Sequence, residues 1–254
     1  MNNIALFLFA HQDDEFAVFE EIYTSIQAGK QVYCVYITRG VKAGFSSKIR
    51  NQESLRVLSK LGVNNNNIIY VGDILSVNDG ELFNSLSSVY KWIYDFLTKH
   101  SKNIYIYIPA WEGGHPDHDC LSVISIKAIE KFGALKYTFQ FPLYNRQDCI
   151  GPFFRFLHPL TSNGSIHKKI IPLLRRIRFL SYLAEYKSQR KTWLGLLPAT
   201  LIHYVFKKTQ ILQAVNAVNE IHRPHNGILY YEYRKFNNWD SLQKNLMEFL
   251  DKNK

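Results

Sequence analysis

Five short apolar runs, spaced by helix-length stretches, constrain this chain more than any other feature. They stand at 4–9, 32–37 (VYCVYI), 68–71 (IIYV), 104–108 (IYIYI) and 137–142 (YTFQFP). Their β-branched and aromatic content is that of buried strands. Helix-like stretches at 15–28, 47–61, 81–99 and 117–132 lie between them. A strand–helix alternation of this kind predicts an α/β fold with a mostly parallel sheet and helices on both faces.

The alternation stops near residue 143. The segment 170–186, IIPLLRRIRFLSYLAEY, reads as a basic amphipathic helix after Pro172. TWLGLLPATLIHYVF, 192–206, is apolar but interrupted by Gly195 and Pro198, and is too short to span a bilayer. It suits a buried hairpin, a cover over a site, a membrane interface or a contact between copies of the chain. Residues 143–210 are therefore expected to be a basic, apolar, mainly helical insertion within one domain covering 1–254. A turn at 223–227 (RPHNG), a strand at 228–234 (ILYYEYR) and a helix from Asp240 to Leu250 complete the expected elements.

Charge follows the same division. The net charge is +10 over 254 residues, yet 168–208 holds ten Lys/Arg against the single acid Glu185, which leaves +1 for the rest. Such a segment is expected to face something anionic, such as a phosphate-bearing substrate or a membrane surface. A nucleic-acid groove is disfavoured, because the segment is too apolar to form a long basic channel with aromatic platforms. The three cysteines, Cys34, Cys120 and Cys149, are scattered and suggest no disulfide framework. With no signal-peptide pattern at the start, a cytoplasmic protein is expected, with peripheral attachment at the inner membrane surface through 168–208.

Two clusters carry the chemistry. The first strand ends in AHQDDE (10–15), and the fourth is followed by EGGHPDHD (112–119). In a doubly wound sheet the first and fourth strands often lie side by side, and a crevice opens beyond their carboxyl ends. The topology thus predicts that the clusters face each other. Taken singly, each would also serve as a helix cap; caps alone do not explain both at equivalent ends of neighbouring strands. A divalent cation would hold the adjacent acids together. His11, Asp14 and His118 offer two imidazoles and one carboxylate, a set suited to zinc with one open position. Asp13 is left free to take a proton, and His115, three residues before His118, can stabilise a developing oxyanion as a cation. Dinucleotide binding is disfavoured, since no GxGxxG follows the first strand and its acids would repel a pyrophosphate. Cys120 is expected in the core.

These clusters resemble the paired motifs of the PIG-L/LmbE family of zinc-dependent de-N-acetylases. AHQDDE stands where the family has AHPDDE, with Gln12 in place of proline, and HPDH is intact at 115–118. TRG at 38–40, Arg50 with Glu53, LGV at 61–63, SQ at 188–189 and RPHNGILYYEYRKFNNW at 223–239 add to the resemblance. It implies a Rossmann-like fold, His11, Asp14 and His118 as Zn2+ ligands, Asp13 as general base, His115 at the oxyanion and Arg50 on the substrate. The activity it implies is removal of the N-acetyl group from an N-acetylglucosamine-type sugar; the basic segment 168–208 adds the expectation of a phosphate-bearing nucleotide or lipid carrier, in surface polysaccharide or glycolipid synthesis. Glu15 is expected to support the loop rather than react. A non-catalytic sugar-binding relative and a metal-dependent glycosyltransferase are the alternatives.

Overall fold

The computed structural model describes residues 3–100 and 103–253. Its first part follows the predicted alternation: β1 Ile4–Phe9, α1 Phe19–Gln27, β2 Gln31–Tyr36, α2 Lys48–Leu61, β3 Ile68–Tyr70, the single turn α3 Val71–Leu75, α4 Leu86–Lys99, β4 Ile104–Pro109, α5 Pro116–Phe132 and β5 Thr138–Phe141. The strands β3-β2-β1-β4-β5 are parallel neighbours in that order. β1 lies beside β4, with Ile4 opposite Ile104, as the crevice argument requires.

Every residue of β1 is buried, and its period of two feeds two cores. Leu6 and Leu8 pack with α4, α5 and the C-terminal helix, whereas Phe7 and Phe9 pack with α1 and α2. Cys34 and Cys120 lie in these cores with free thiols.

The later part adds strands to one expectation and corrects another. Residues 143–210 are helical over 173–185 and 187–207, including α6 Leu173–Tyr182 and α7 Arg190–Ile202, but they also contain the pair β6 Tyr144–Asn145 and β7 Arg155–Phe156, and then β8 Ile166–Ile170. β9, Thr209–Ala214, joins β5 antiparallel and β8 joins β9, extending the main sheet to seven strands. β8 is the edge strand, IHKKI, and its exposed charges suit an unpaired edge. The correction is at 228–234. There a short helix, α8 Tyr230–Tyr233, replaces the expected strand. Glu232 explains the change: its carboxylate accepts the amide N–H groups of Leu229 (2.9 Å) and Trp239 (3.3 Å), closing a turn that an extended chain could not make. α9, Trp239–Lys252, ends the described chain and packs its Leu242, Leu246 and Phe249 under α5. Among the described residues no helix is long and apolar enough to cross a membrane.

Candidate metal centre

The loop after β1 gives each of its acids a separate partner, which is how three carboxylates stay buried side by side. The Asp14 carboxylate accepts the His11 amide N–H at 2.8 Å and lies 3.1 Å from His118 Nε2. Glu15 accepts the Asp13 amide N–H at 2.9 Å and the Tyr186 hydroxyl at 2.8 Å. Asp13 pairs with Arg50 at 3.1 Å. Glu15 thus supports the loop from beneath, as expected.

Asp13 adopts φ 112°, the left-handed region that non-glycine residues rarely visit. Arg50, from the first turn of α2, holds that turn. Its guanidinium donates to the Gln12 and Gly40 carbonyls as well as to Asp13. Gln12, in the position of the family proline, is buried and donates to Asn51 Oδ1 at 2.6 Å. Gly40 has to be glycine: at φ 61° an added Cβ would stand 2.0 Å from Gln12 Oε1 and 3.0 Å from Arg50 Nη1. Gly40→Ala is therefore expected to cost about 1–2 kcal/mol from backbone handedness alone, with further loss from disturbing the Arg50 cradle. A lower urea midpoint at unchanged slope would register it.

The second cluster opens α5. His115 is its N-cap, and the Asp117 amide N–H donates to His115 Nδ1 at 3.2 Å. Asp119 accepts the Glu112 and Gly113 amides, both at 3.1 Å, tying the EGG turn to the helix it precedes. The buried Glu112 carboxylate in turn accepts the Leu143 (2.6 Å) and Tyr144 (2.8 Å) amides. Here too backbones run close, since a Cβ on Gly114 would lie 2.2 Å from the Tyr144 carbonyl oxygen.

The two clusters meet at the carboxyl ends of β1 and β4. His11 Nδ1 is 3.2 Å from His118 Nε2, which is 3.1 Å from Asp14 Oδ1. Zinc bonds of about 2.0–2.1 Å at tetrahedral angles separate neighbouring donors by about 3.3 Å. The spacing therefore fits a single small cation. His11 Nε2 faces away, toward Asp117 Oδ2 at 3.0 Å and Asp79 Oδ1 at 3.1 Å. A proton on Nε2 leaves the Nδ1 lone pair free for a metal. His11, Asp79, His115 and Asp117 form a second, overlapping group. Asp117, however, already accepts the Gly80 (2.7 Å) and Leu82 (3.1 Å) amides, the bonding of a supporting carboxylate.

Electrostatics follow the same partners. Burial would push the Asp14 carboxyl up, but His118 and His11 overcome it and hold it at about 2. Burial raises Asp13 to about 7 against the pull of Arg50. Burial and the nearby His11 lower His115 to about 4. With Nδ1 accepting the Asp117 amide N–H, the His115 tautomer that fits this geometry carries its hydrogen on Nε2.

A cavity of about 190 Å³ opens over this centre, lined by His11, Asp13, Asp14, Arg50, Asp79, His115 and His118 below. Tyr144, Gln189, Trp193, Leu196 and Phe236 also line it. Of the residues named from sequence, all six converge here. Four further groups were not singled out. Asp79 sits in a loop without a motif, and Asp117 lies inside HPDH but reads as a helix-start acid. Tyr144 and Trp193 lie in the segment whose periodicity is broken.

Comparison with known proteins agrees with this architecture. The profile of PIG-L, GlcNAc-PI de-N-acetylase, matches residues 6–129. No curated protein matches the sequence. Among solved structures, a deacetylase of the teicoplanin biosynthesis pathway is 14% identical and aligns with a TM-score of 0.66 over 86% of this chain and 100% of its own. The zinc-inhibited form of teicoplanin deacetylase Orf2 is 13% identical, with a TM-score of 0.65 over 86% of this chain and 100% of its own. The N,N'-diacetylchitobiose deacetylase from Pyrococcus horikoshii is 16% identical, with a TM-score of 0.55 over 84% and 83% of the two chains. At these identities the structural likeness is one of fold. Over residues 6–129 the chain carries a domain of the PIG-L (GlcNAc-PI de-N-acetylase) family.

Proposed function

We propose that the chain is a zinc-dependent hydrolase that removes the N-acetyl group from an N-acetylglucosamine-type sugar. The carrier is a phosphate-bearing nucleotide or lipid, and the setting is synthesis of a surface polysaccharide or glycolipid. In this reading 1–254 acts as one deacetylase domain, with 143–210 as the basic, apolar insertion that roofs the site. The observation that carries it is the convergence of His11, Asp14 and His118 donor atoms within 4.8 Å of one another, with the Asp13 carboxyl beside them in one cavity.

Nitrogen, nitrogen and carboxylate oxygen at this spacing suit Zn2+. When bound by His11, Asp14 and His118, the ion supplies Lewis acidity and lowers the pKa of water. The rest belongs to the chain. Asp13, held by Arg50, takes the proton of the attacking water; a carboxyl near neutrality is matched to that task. His115 Nε2–H donates to the acetamide oxygen as charge builds on it, and does so as a neutral group. Asp13 then returns the proton to the departing nitrogen. Arg50 positions the Asp13 turn and lines the cavity where the substrate would lie. Acetate release from free, nucleotide-linked and lipid-linked N-acetylglucosamine tests the reading. Release from one conjugate supports it; no release from any of them by zinc-loaded protein overturns it.

The same reading places the protein at the cytoplasmic membrane surface. Ile170, Leu174 and Ile177 precede or lie on α6, and Leu194, Ile202 and Phe206 lie on or just after α7, all exposed, Leu174 to 81%. The two groups adjoin, because Arg176 of α6 donates to the Tyr204 carbonyl at 2.7 Å. Exposed aliphatics among basic residues suit an anionic lipid interface. We expect the protein to float with anionic liposomes, less so at high salt, and Leu174→Glu with Phe206→Glu to leave it in the soluble fraction. Equal recovery with neutral and anionic vesicles would contradict this.

A further inference from the structure

The ten cations of 168–208 supply no residue to the cavity lining, where Arg50 is the one Lys or Arg. Several are engaged elsewhere: Arg175 pairs with Glu20 at 2.8 Å, and Lys169 with Glu21 at 2.9 Å. Arg178 donates to the Lys60 carbonyl at 2.8 Å. A phosphate next to the sugar must therefore meet its cations somewhere else on the rim.

The RKF stretch, 234–236, offers them. Phe236 reaches the cavity, its ring 5.7 Å from that of His115, yet is 53% exposed. Nothing in the core asks for an aromatic ring there. The Arg234 guanidinium lies 5.5 Å from the Phe236 ring and 5.8 Å from that of Tyr230, and donates to the Tyr230 hydroxyl at 3.2 Å. Neither Arg234 nor its exposed neighbour Lys235 pairs with a carboxylate among the described residues. Glu232, the acid closest to them in sequence, is occupied by Arg223 and by two backbone amides. Lys235 stands at φ 57° and closes the end of α8, where the Phe236 amide N–H donates to the Tyr231 carbonyl at 2.9 Å. Tyr230 is braced in turn by Tyr144 and Phe154, at 5.0 and 5.3 Å, and Tyr233 by the buried Arg146 at 4.0 Å. The result is a braced aromatic shelf at the mouth of the cavity, carrying two uncompensated cations.

We propose that this shelf is the subsite for the part of the substrate next to the acetamido sugar. The sugar ring lies on Phe236, and a phosphate ester on its anomeric side is held by Arg234 and Lys235. Aromatic faces suit the apolar side of a pyranose, and a guanidinium suits the phosphate oxygens. The inference rests on the deacetylase reading and deepens it: the substrate class is a glycosyl phosphate or diphosphate.

The test compares the zinc-loaded wild type with a R234Q/K235Q double variant and with F236A. Probes are N-acetylglucosamine 1-phosphate, UDP-N-acetylglucosamine, a polyprenyl-diphosphate-linked N-acetylglucosamine and the phosphate-free methyl glycoside. In the double variant the ratio of kcat/KM for phosphate-bearing over phosphate-free sugar should fall about tenfold or more, as loss of a charged hydrogen bond allows. F236A should lower kcat/KM for both kinds. An unchanged ratio in the double variant overturns the proposal. Comparing the UDP and polyprenyl conjugates separates a nucleotide carrier from a lipid one. Calorimetric binding of N-acetylglucosamine 1-phosphate to Asp13→Asn protein keeps this independent of turnover. Binding that weakens about tenfold with R234Q/K235Q added supports the subsite even if no conjugate releases acetate, an outcome that would sink the deacetylase reading alone. Absent binding, or binding indifferent to those changes, sinks the subsite.

Discussion

Asp13→Asn is expected to cut acetate release by two to four orders of magnitude, the usual worth of a positioned general base, about 10²–10⁴-fold, while zinc stays bound. The two outcomes separate because Asp13 is not among the proposed metal donors, which are His11 Nδ1, Asp14 and His118 Nε2. Asp13 faces Arg50, and an asparagine keeps the oxygen that Arg50 holds at 3.1 Å. Its amide group cannot accept the water proton. The fall should appear in kcat with little change in KM, since the loss is confined to the proton-transfer step. An Asp13→Asn protein with wild-type turnover would remove the base assignment and leave the metal site standing.

His118→Ala is expected to act in the opposite order, on the metal first and on turnover as a consequence. It removes one of the three proposed donors and leaves the Asp14 carboxylate buried without the imidazole that holds it near pKa 2. Loss of a supporting, non-ligating partner already lowers metal affinity by roughly 10–100-fold, so loss of a ligand should exceed that. Elemental analysis after dialysis should find the variant depleted of zinc when the wild type is loaded. Asp117→Ala is the informative companion. Its carboxylate only supports His11, at 3.0 Å, so it should weaken zinc within the smaller range.

The sequence made part of this legible and hid the rest for physical reasons. Strands β1 to β5 are parallel and buried on both faces, so their runs are apolar end to end and stand out. The adjacency of β1 and β4 followed from element order, and with it the meeting of AHQDDE and HPDH. β8 was not visible, because an edge strand such as IHKKI gains from charges that break an apolar pattern. The 228–234 stretch looks like a strand by its tyrosines. Its helix depends on Glu232 reaching the amides of Leu229 and Trp239, a tertiary closure with no local signature. Asp79 is beyond sequence reasoning for a similar reason: it meets His11 only because the loop after α3 is pinned to Asp117. Gln12 was readable as a departure from proline, but not its consequence. The loop is stiffened by Arg50, Asn51 and Gly40 rather than by a ring in the backbone.

The measurement that bears most directly on the central claim is acetate release followed through metal removal and return, with zinc counted per chain. A chelator should abolish release from the conjugate the wild type hydrolyses. Zinc added back should restore it in step with occupancy, reaching a plateau at about one ion per chain, the count a three-donor site of this size holds. Undiminished release from protein shown to be free of metal, or failure of the wild type to take up any zinc, would contradict the account.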